Sequence, residues 1–147
     1  MHLISHRGNI KGKQPELENS PDYILNAIDH GYYCEVDIWG KINGEIWLGH
    51  DSPMYKTDRI FLANPMILCH CKNKLAIDNI HDWGIHWFWH ENDDYTITSN
   101  GWTWAYPNKP SAGQTCIAVM PSLQLDVSEY AGVCSDHIGN YDKTNNI

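Results

Sequence analysis

Short apolar runs separated by Gly, Asn, Asp and Pro occur along the whole chain, a pattern typical of β-strands joined by turns. The predicted strands are Leu3–Ser5, Tyr32–Trp39, Glu45–Leu48, Met66–Lys72, His86–His90, Gly101–Ala105, Thr115–Met120 and Ala131–Cys134. Asn43-Gly44 predicts a hairpin turn between the second and third of these strands. No repeat or linker interrupts the pattern, so residues 1–147 are expected to form a single domain.

Two segments show helical spacing of apolar residues instead. The first starts after Ser20, a favourable N-cap followed by Pro21, and stops at Gly31. The second covers Asn73–Trp83 and stops at Gly84. Strand, helix and strand in succession predict parallel crossover units.

The second half of the chain has strands and Pro-, Asn- and Gly-containing loops but little room for helices. A complete (β/α) barrel takes ~250 residues, and this chain has 147. The expected fold class is therefore α/β, a reduced or incomplete (β/α) TIM-type barrel with few helices in its second half.

Composition narrows the classes of function. The formal net charge of −8 gives no basic footprint for a nucleic-acid backbone. No apolar run is long enough for a membrane span, and the start of the chain has no signal-peptide pattern, so a cytoplasmic protein is expected. The five cysteines lie in apolar, strand-like runs and are expected to be reduced core residues.

Two carboxylates mark the strongest candidate site. Side chains alternate along a strand, so Glu35 and Asp37 share one face of the second strand, near its C-terminal end. Active sites of parallel α/β folds lie at that end. Two buried carboxylates repel each other unless a cation lies between them, and oxygen ligands favour Mg²⁺ or Ca²⁺.

Other polar residues end neighbouring strands. His70 and Lys72 share a face of the Met66–Lys72 strand, while His6 follows the first strand directly and His50 follows Ile46-Trp47-Leu48. Imidazole titrates near neutral pH and suits acid–base chemistry, and Arg7 offers a bidentate fork for phosphate. The aromatic residues of the second half are expected mainly in the core, with His90-Glu91 as a secondary site candidate.

The order His6-Arg7-Gly8, Glu18-Asn19, Glu35-x-Asp37 and His50-Asp51 resembles the fingerprint of the glycerophosphodiester phosphodiesterase-like family. The run Ala131–Asp136 is similar to that family's closing strand. The resemblance implies a phosphodiesterase-like barrel and hydrolysis of phosphoric diesters with one divalent metal ion.

The resemblance implies that Glu35 and Asp37 bind the metal ion. It implies two alternative roles for Glu18, which would either be a further ligand or hold Arg7 in place. His70 stands where the family usually has a carboxylate. As a further ligand, this histidine would extend the choice from Mg²⁺ or Ca²⁺ to Mn²⁺ or Zn²⁺.

For the reaction, the resemblance implies attack on phosphorus by a neighbouring hydroxyl of the substrate. His50 would accept its proton, His6 would protonate the departing alkoxide, and Arg7 and Lys72 would hold the phosphate. The supporting groups would be Asn19 and Asp51.

The expected partner is a small glycerophosphodiester-like or polyol-phosphate substrate, cleaved by hydrolysis or with release of a cyclic phosphate. The alternative is a non-catalytic module that binds phosphate or sugar phosphate. A third hypothesis is self-assembly, because exposed strand edges of an incomplete barrel would allow copies of the chain to pair.

Overall fold

The computed structural model of the protein describes residues 1–145, which form one mixed sheet with three short α-helices. The strands are β1 (His2–His6), β2 (Tyr33–Gly40), β3 (Ile46–Leu48), β4 (Tyr55–Thr57), β5 (Ile67–Cys71), β6 (Trp87–Trp89), β7 (Tyr95–Ile97), β8 (Thr103–Ala105), β9 (Cys116–Val119) and β10 (Gly132–Ser135). The α-helices are α1 (Pro21–Asp29), α2 (Arg59–Leu62) and α3 (Lys74–Ile80), and 3-10 turns follow at Ile138–Tyr141 and Lys143–Asn145.

Seven strands run parallel in the spatial order β6-β5-β2-β1-β10-β9-β8. The short strands β3 and β4 extend from β2 as an antiparallel pair, and β7 pairs antiparallel with β8. Since β10 lies beside β1, the last strand of the chain joins the first in the middle of the sheet.

The parallel part of the sheet curls until its two ends meet. The rings of Phe88 on β6 and Trp104 on β8 have centroids 4.9 Å apart. The Ser99 backbone N–H donates to the Trp87 carbonyl at 2.8 Å. One apolar cluster inside the curl takes residues from six strands, namely Ile4, Leu68, Phe88, Trp104, Ile117 and Cys134.

Strand β2 separates apolar from polar side chains by alternation. Cys34, Val36 and Ile38 pack with the helices on its outer face. Gly40 lets α3 approach this strand, because a Cβ atom there would lie 2.3 Å from the Leu75 carbonyl carbon. The other face of β2 therefore directs Glu35 and Asp37 toward the inside of the curl.

The expected α/β fold, a reduced or incomplete (β/α) TIM-type barrel, is wrong. Ten strands build a mixed sheet, and the three α-helices of the described chain precede β6. The connections from β8 to β9 and from β9 to β10 contain Pro110 and Pro121 and no apolar stripe of helical spacing. They cross as irregular loops, so no α-helix follows β6 within residues 1–145.

Individual elements were predicted more accurately than the architecture. Helix α1 and the hairpin at Asn43-Gly44 are confirmed, and α3 lies within the second predicted helix, with Asn73 as its N-cap. The missed elements are β4, β7 and α2, which have three or four residues each. Such short and largely exposed segments show no periodicity to detect.

All five cysteines are buried and free, as predicted. Within residues 1–145, no helix has the length and apolar character that crossing a membrane requires.

His86 lies buried at the start of β6, where its Nε2 is 2.7 Å from the Thr98 hydroxyl. That hydroxyl accepts the Trp102 backbone N–H, so its own hydrogen is available for a neutral His86 ring. Desolvation by burial lowers the pKa of His86 to about 4.

We predict that His86 makes folding sensitive to acid. In the unfolded chain His86 takes up a proton as the pH falls below ~6.5. In the folded chain the same residue stays neutral until the pH approaches 4. The free energy of unfolding should therefore fall as pH drops through this window, by at most ~1.4 kcal/mol per pH unit from this residue. Urea unfolding at pH 7 and pH 5 measures the change, and His86→Gln should reduce it; equal slopes for both proteins would contradict the assignment.

Candidate metal and catalytic site

The register of three parallel strands gathers the candidate residues at one edge of the sheet. His6 at the end of β1 is paired in register with Glu35 on β2. Asp37, one step further along the same face of β2, is paired with His70 on β5. Glu35, Asp37, His6 and His70, all of them candidate site residues, therefore lie close together.

Glu35, Asp37 and His70 form a group that could hold a metal ion, since one ligand atom from each lies within 4.8 Å of the others. His70 Nδ1 is 3.3 Å from Asp37 Oδ1 and 3.6 Å from Glu35 Oε1. Glu35 Oε2 and Asp37 Oδ1 are buried and accept no hydrogen bond from any residue in 1–145. Buried carboxylate oxygens without donors are costly unless a cation compensates them, so these three residues fit a divalent ion.

The imidazole of His70 is fixed from several sides. Its ring stacks on Phe88 with centroids 4.6 Å apart, and its Nε2 lies 3.3 Å from the His90 carbonyl oxygen. Burial disfavours the charged ring, but the carboxylates of Asp37 and Glu35 outweigh this and raise the pKa of His70 to about 9. An ion bound through Nδ1 would take the place of the proton there.

Arg7 and Asn19 both contact Oδ2 of Asp37, the carboxylate oxygen other than the one that lies beside His70. The Asn19 side-chain amide donates to Asp37 Oδ2 at 2.9 Å, and Asn19 Oδ1 accepts the Asp37 backbone N–H at 2.9 Å. Arg7 Nε lies 2.9 Å from the same Oδ2 as an ion pair, without the alignment of a hydrogen bond. Although burial opposes ionisation, His70, Arg7 and Asn19 lower the pKa of Asp37 well below its usual range.

Glu18 accepts a hydrogen bond from Arg7 Nη1 at 3.1 Å. It is outside the group that could bind a metal. Of the two roles expected for Glu18, the structure therefore favours holding Arg7 over ligating the ion.

Asp136 was not predicted as a site residue. It directly follows β10, which pairs with β1, and its Oδ1 lies 2.7 Å from His6 Nδ1. Burial opposes the charged ring of His6, but Asp136 and then Glu35 raise its pKa. The signal was the Ser135-Asp136 ending of the last strand, whose partner strand could not be identified from the sequence.

A cavity of about 290 Å³ opens in front of these groups. Its polar wall includes six of the predicted site residues, namely His6, Arg7, Glu35, His50, His70 and Lys72. Asp37 and Asn19 are buried behind that wall, and Asp51 is exposed, with its Oδ1 2.7 Å from His50 Nδ1. The two histidines proposed for acid–base chemistry therefore border the same space.

The rest of the cavity lining comes from the second half of the chain and is mainly apolar. Trp104 and Tyr106 contribute aromatic surface beside Val119 and Met120. Trp104 also belongs to the interior cluster, as expected for an aromatic core residue. His90, the secondary candidate, borders this cavity, and its ring lies 5.0 Å from that of Tyr106.

Comparison with protein-family models, with curated protein sequences and with solved structures finds no match to this chain. The resemblance to the glycerophosphodiester phosphodiesterase-like family therefore depends on the residues described above.

We predict that a divalent cation stabilises the fold through Glu35, Asp37 and His70. At an ion concentration ~100 times the Kd the stabilisation is ~2.7 kcal/mol, because the ion binds only the folded chain. For a chain of this size each kcal/mol raises Tm by roughly 2–4 °C. Thermal unfolding with Mn²⁺, Mg²⁺, Ca²⁺ and Zn²⁺ measures the shift, and the imidazole ligand should favour Mn²⁺ or Zn²⁺ over Ca²⁺.

Glu35→Gln should abolish the Tm shift. Glu91→Gln is the matched control, since Glu91 borders the cavity but does not belong to the metal-binding group. An equal shift in wild type and Glu35→Gln would show that the ion binds elsewhere.

Proposed function

We propose that the protein is a metal-dependent phosphodiesterase of the glycerophosphodiester phosphodiesterase-like kind, cleaving a small glycerophosphodiester-like or polyol-phosphate substrate. The observation that supports this most strongly is the shared cavity. It combines a carboxylate–imidazole group suited to one divalent ion with two further histidines, an arginine and a lysine. These are the groups needed to bind a phosphodiester and to move protons during its cleavage.

Arg7 and Lys72 hold the phosphate in this proposal. Arg7 is held by Glu18 through Nη1 and by Asp37 through Nε, and it lines the cavity. Lys72 lines the same cavity and forms no ion pair within the described chain. A bound divalent ion would add electrostatic stabilisation of the charge on the phosphoryl oxygens.

His50 and His6 then move protons. A neighbouring hydroxyl of the substrate forms the new O–P bond as its proton passes to His50, whose Nδ1 is held by Asp51. The O–P bond to the leaving group breaks as His6 donates a proton to the departing alkoxide. The product is a cyclic phosphate, which water hydrolyses or which leaves the site.

A second candidate is a non-catalytic module that binds phosphate or sugar phosphate. The observation in its favour is the charge balance, because Arg7 and His70 already face the two carboxylates Glu35 and Asp37. A site balanced in this way would retain phosphate contacts from Lys72 without an ion.

The test uses a p-nitrophenyl diester of glycerol 3-phosphate, which carries the neighbouring hydroxyl, with Mn²⁺ or Mg²⁺ present. We expect release of nitrophenol, a phosphorus NMR signal of cyclic phosphate, and loss of both in excess chelator. His50→Ala should lower kcat roughly 10²–10⁴-fold, the usual contribution of a base. His6→Ala should cause a loss of that size with a dialkyl diester such as glycerophosphoglycerol, whose alkoxide must be protonated as it departs, and a much smaller loss with the nitrophenyl diester, because nitrophenolate departs without a proton. His81→Ala, at an exposed position after α3, is the control and should keep the wild-type rate.

Full activity in chelator would contradict the metal requirement. Wild-type rates in both His50→Ala and His6→Ala would contradict the acid–base pair. Thermal stabilisation by glycerol 3-phosphate without turnover of any diester would favour the binding module.

A further inference from the structure

A series of buried and partly buried hydrogen bonds leads from the candidate site to helix α1. From it we infer that Asn9 and Tyr23 are positioning residues, which orient the His6 imidazole by holding the carboxylate of Asp136. The inference rests on the proposed function only in assigning a catalytic role to His6. The orientation itself follows from contacts within the fold.

The chain of contacts is continuous. Tyr23 Oη donates to Asn9 Oδ1 at 2.9 Å, and Asn9 Nδ2 donates to Asp136 Oδ1 at 2.9 Å. The same Asp136 oxygen lies 2.7 Å from His6 Nδ1. One carboxylate oxygen therefore accepts both the Asn9 amide and the ring N–H of His6.

The partners of Asn9 determine which end of its side-chain amide donates and which accepts. Asn9 Oδ1 also faces the Gln14 backbone N–H at 3.1 Å, which can only donate. The acceptor end of the Asn9 amide must therefore point to Tyr23 and Gln14, and the donor end to Asp136. Asn9 is fully buried, and its backbone carbonyl accepts the Ser5 hydroxyl at 2.9 Å, so its position is fixed as well.

Gly8 makes room for this arrangement. Its φ is +97°, and a Cβ atom there would lie 2.4 Å from Tyr23 Cδ2. Any larger residue after Arg7 would displace the tyrosine ring and with it the hydroxyl that reaches Asn9. The glycine of His6-Arg7-Gly8 therefore serves the same chain of contacts as Tyr23.

The consequence for His6 is a fixed ring orientation. With Nδ1–H directed to Asp136, the other ring nitrogen, Nε2, lies 3.7 Å from Glu35 Oε2, and both residues line the cavity. Nε2 is then the atom that delivers or accepts a proton. Residues that hold a functional imidazole in this way typically contribute about 10–100-fold to activity.

Two variants test the chain. Asn9→Asp keeps an acceptor for Tyr23 and Gln14 but removes the donor to Asp136, and Tyr23→Phe keeps the ring on Gly8 but removes the hydroxyl. With the dialkyl diester as substrate, we expect Asn9→Asp to lower kcat by roughly 10–100-fold and Tyr23→Phe to lower it less, both with little change in KM. Tyr95→Phe is the control. It also removes a tyrosine hydrogen bond, here to the Pro110 carbonyl, but neither residue belongs to the contacts around His6.

Long-range ¹H–¹⁵N NMR of the histidine rings gives a readout that does not need turnover. At a pH high enough to remove the proton from Nε2, wild-type His6 should remain protonated at Nδ1, and in Asn9→Asp the two neutral tautomers should become mixed. Wild-type kcat and an unchanged His6 tautomer in a folded Asn9→Asp protein would overturn the inference.

If Asn9→Asp does not fold, kcat and the His6 tautomer are measured in Tyr23→Phe instead. Unchanged values of both in that variant would again overturn the inference. If wild type cleaves no diester, the proposed function fails, and the NMR comparison alone still decides whether Asn9 and Tyr23 orient His6.

Discussion

Two carboxylates buried at the end of a central strand are the constraint on which the rest of this structure depends. Glu35 and Asp37 are almost completely removed from solvent, and moving an unpaired carboxylate into such a place costs several kcal/mol. The fold compensates this with cationic groups from neighbouring strands: Arg7 and His6 from the end of β1, and His70 from β5. Because β1, β2 and β5 are parallel and adjacent, their ends meet at one edge and these charges can face each other.

The same constraint connects stability with the proposed chemistry. The contacts around the buried carboxylates also fix other side chains of the candidate site. Asn19 orients Asp37, Glu18 orients Arg7, and Asp136 orients His6. An ion bound among Glu35, Asp37 and His70 would satisfy the carboxylate oxygens that lack a donor, so its effect on folding and its role in the reaction have one physical origin.

Much of the site could be predicted from the sequence, because strand alternation placed Glu35 and Asp37 on one face and strand ends marked His6, His50 and His70. The architecture could not, since the loops before β9 and β10 carry no periodic signal and the sequence does not show which distant strands pair. Asp136 and Asn9 escaped detection for a related reason. Their role depends on β10 lying beside β1, a pairing of distant segments that local patterns do not encode. His70 was detected by its place on β5, but its contact with the His90 carbonyl depends on β6 lying beside β5.

The most direct test of the central claim is a crystal structure of the protein with Mn²⁺, recorded with anomalous scattering at the manganese edge. A bound ion in contact with one oxygen each from Glu35 and Asp37 and with His70 Nδ1 is the predicted result. A map without such a peak, in which His70 Nδ1 still faces both carboxylates, would show that the protein's own imidazolium neutralises them and would contradict the account.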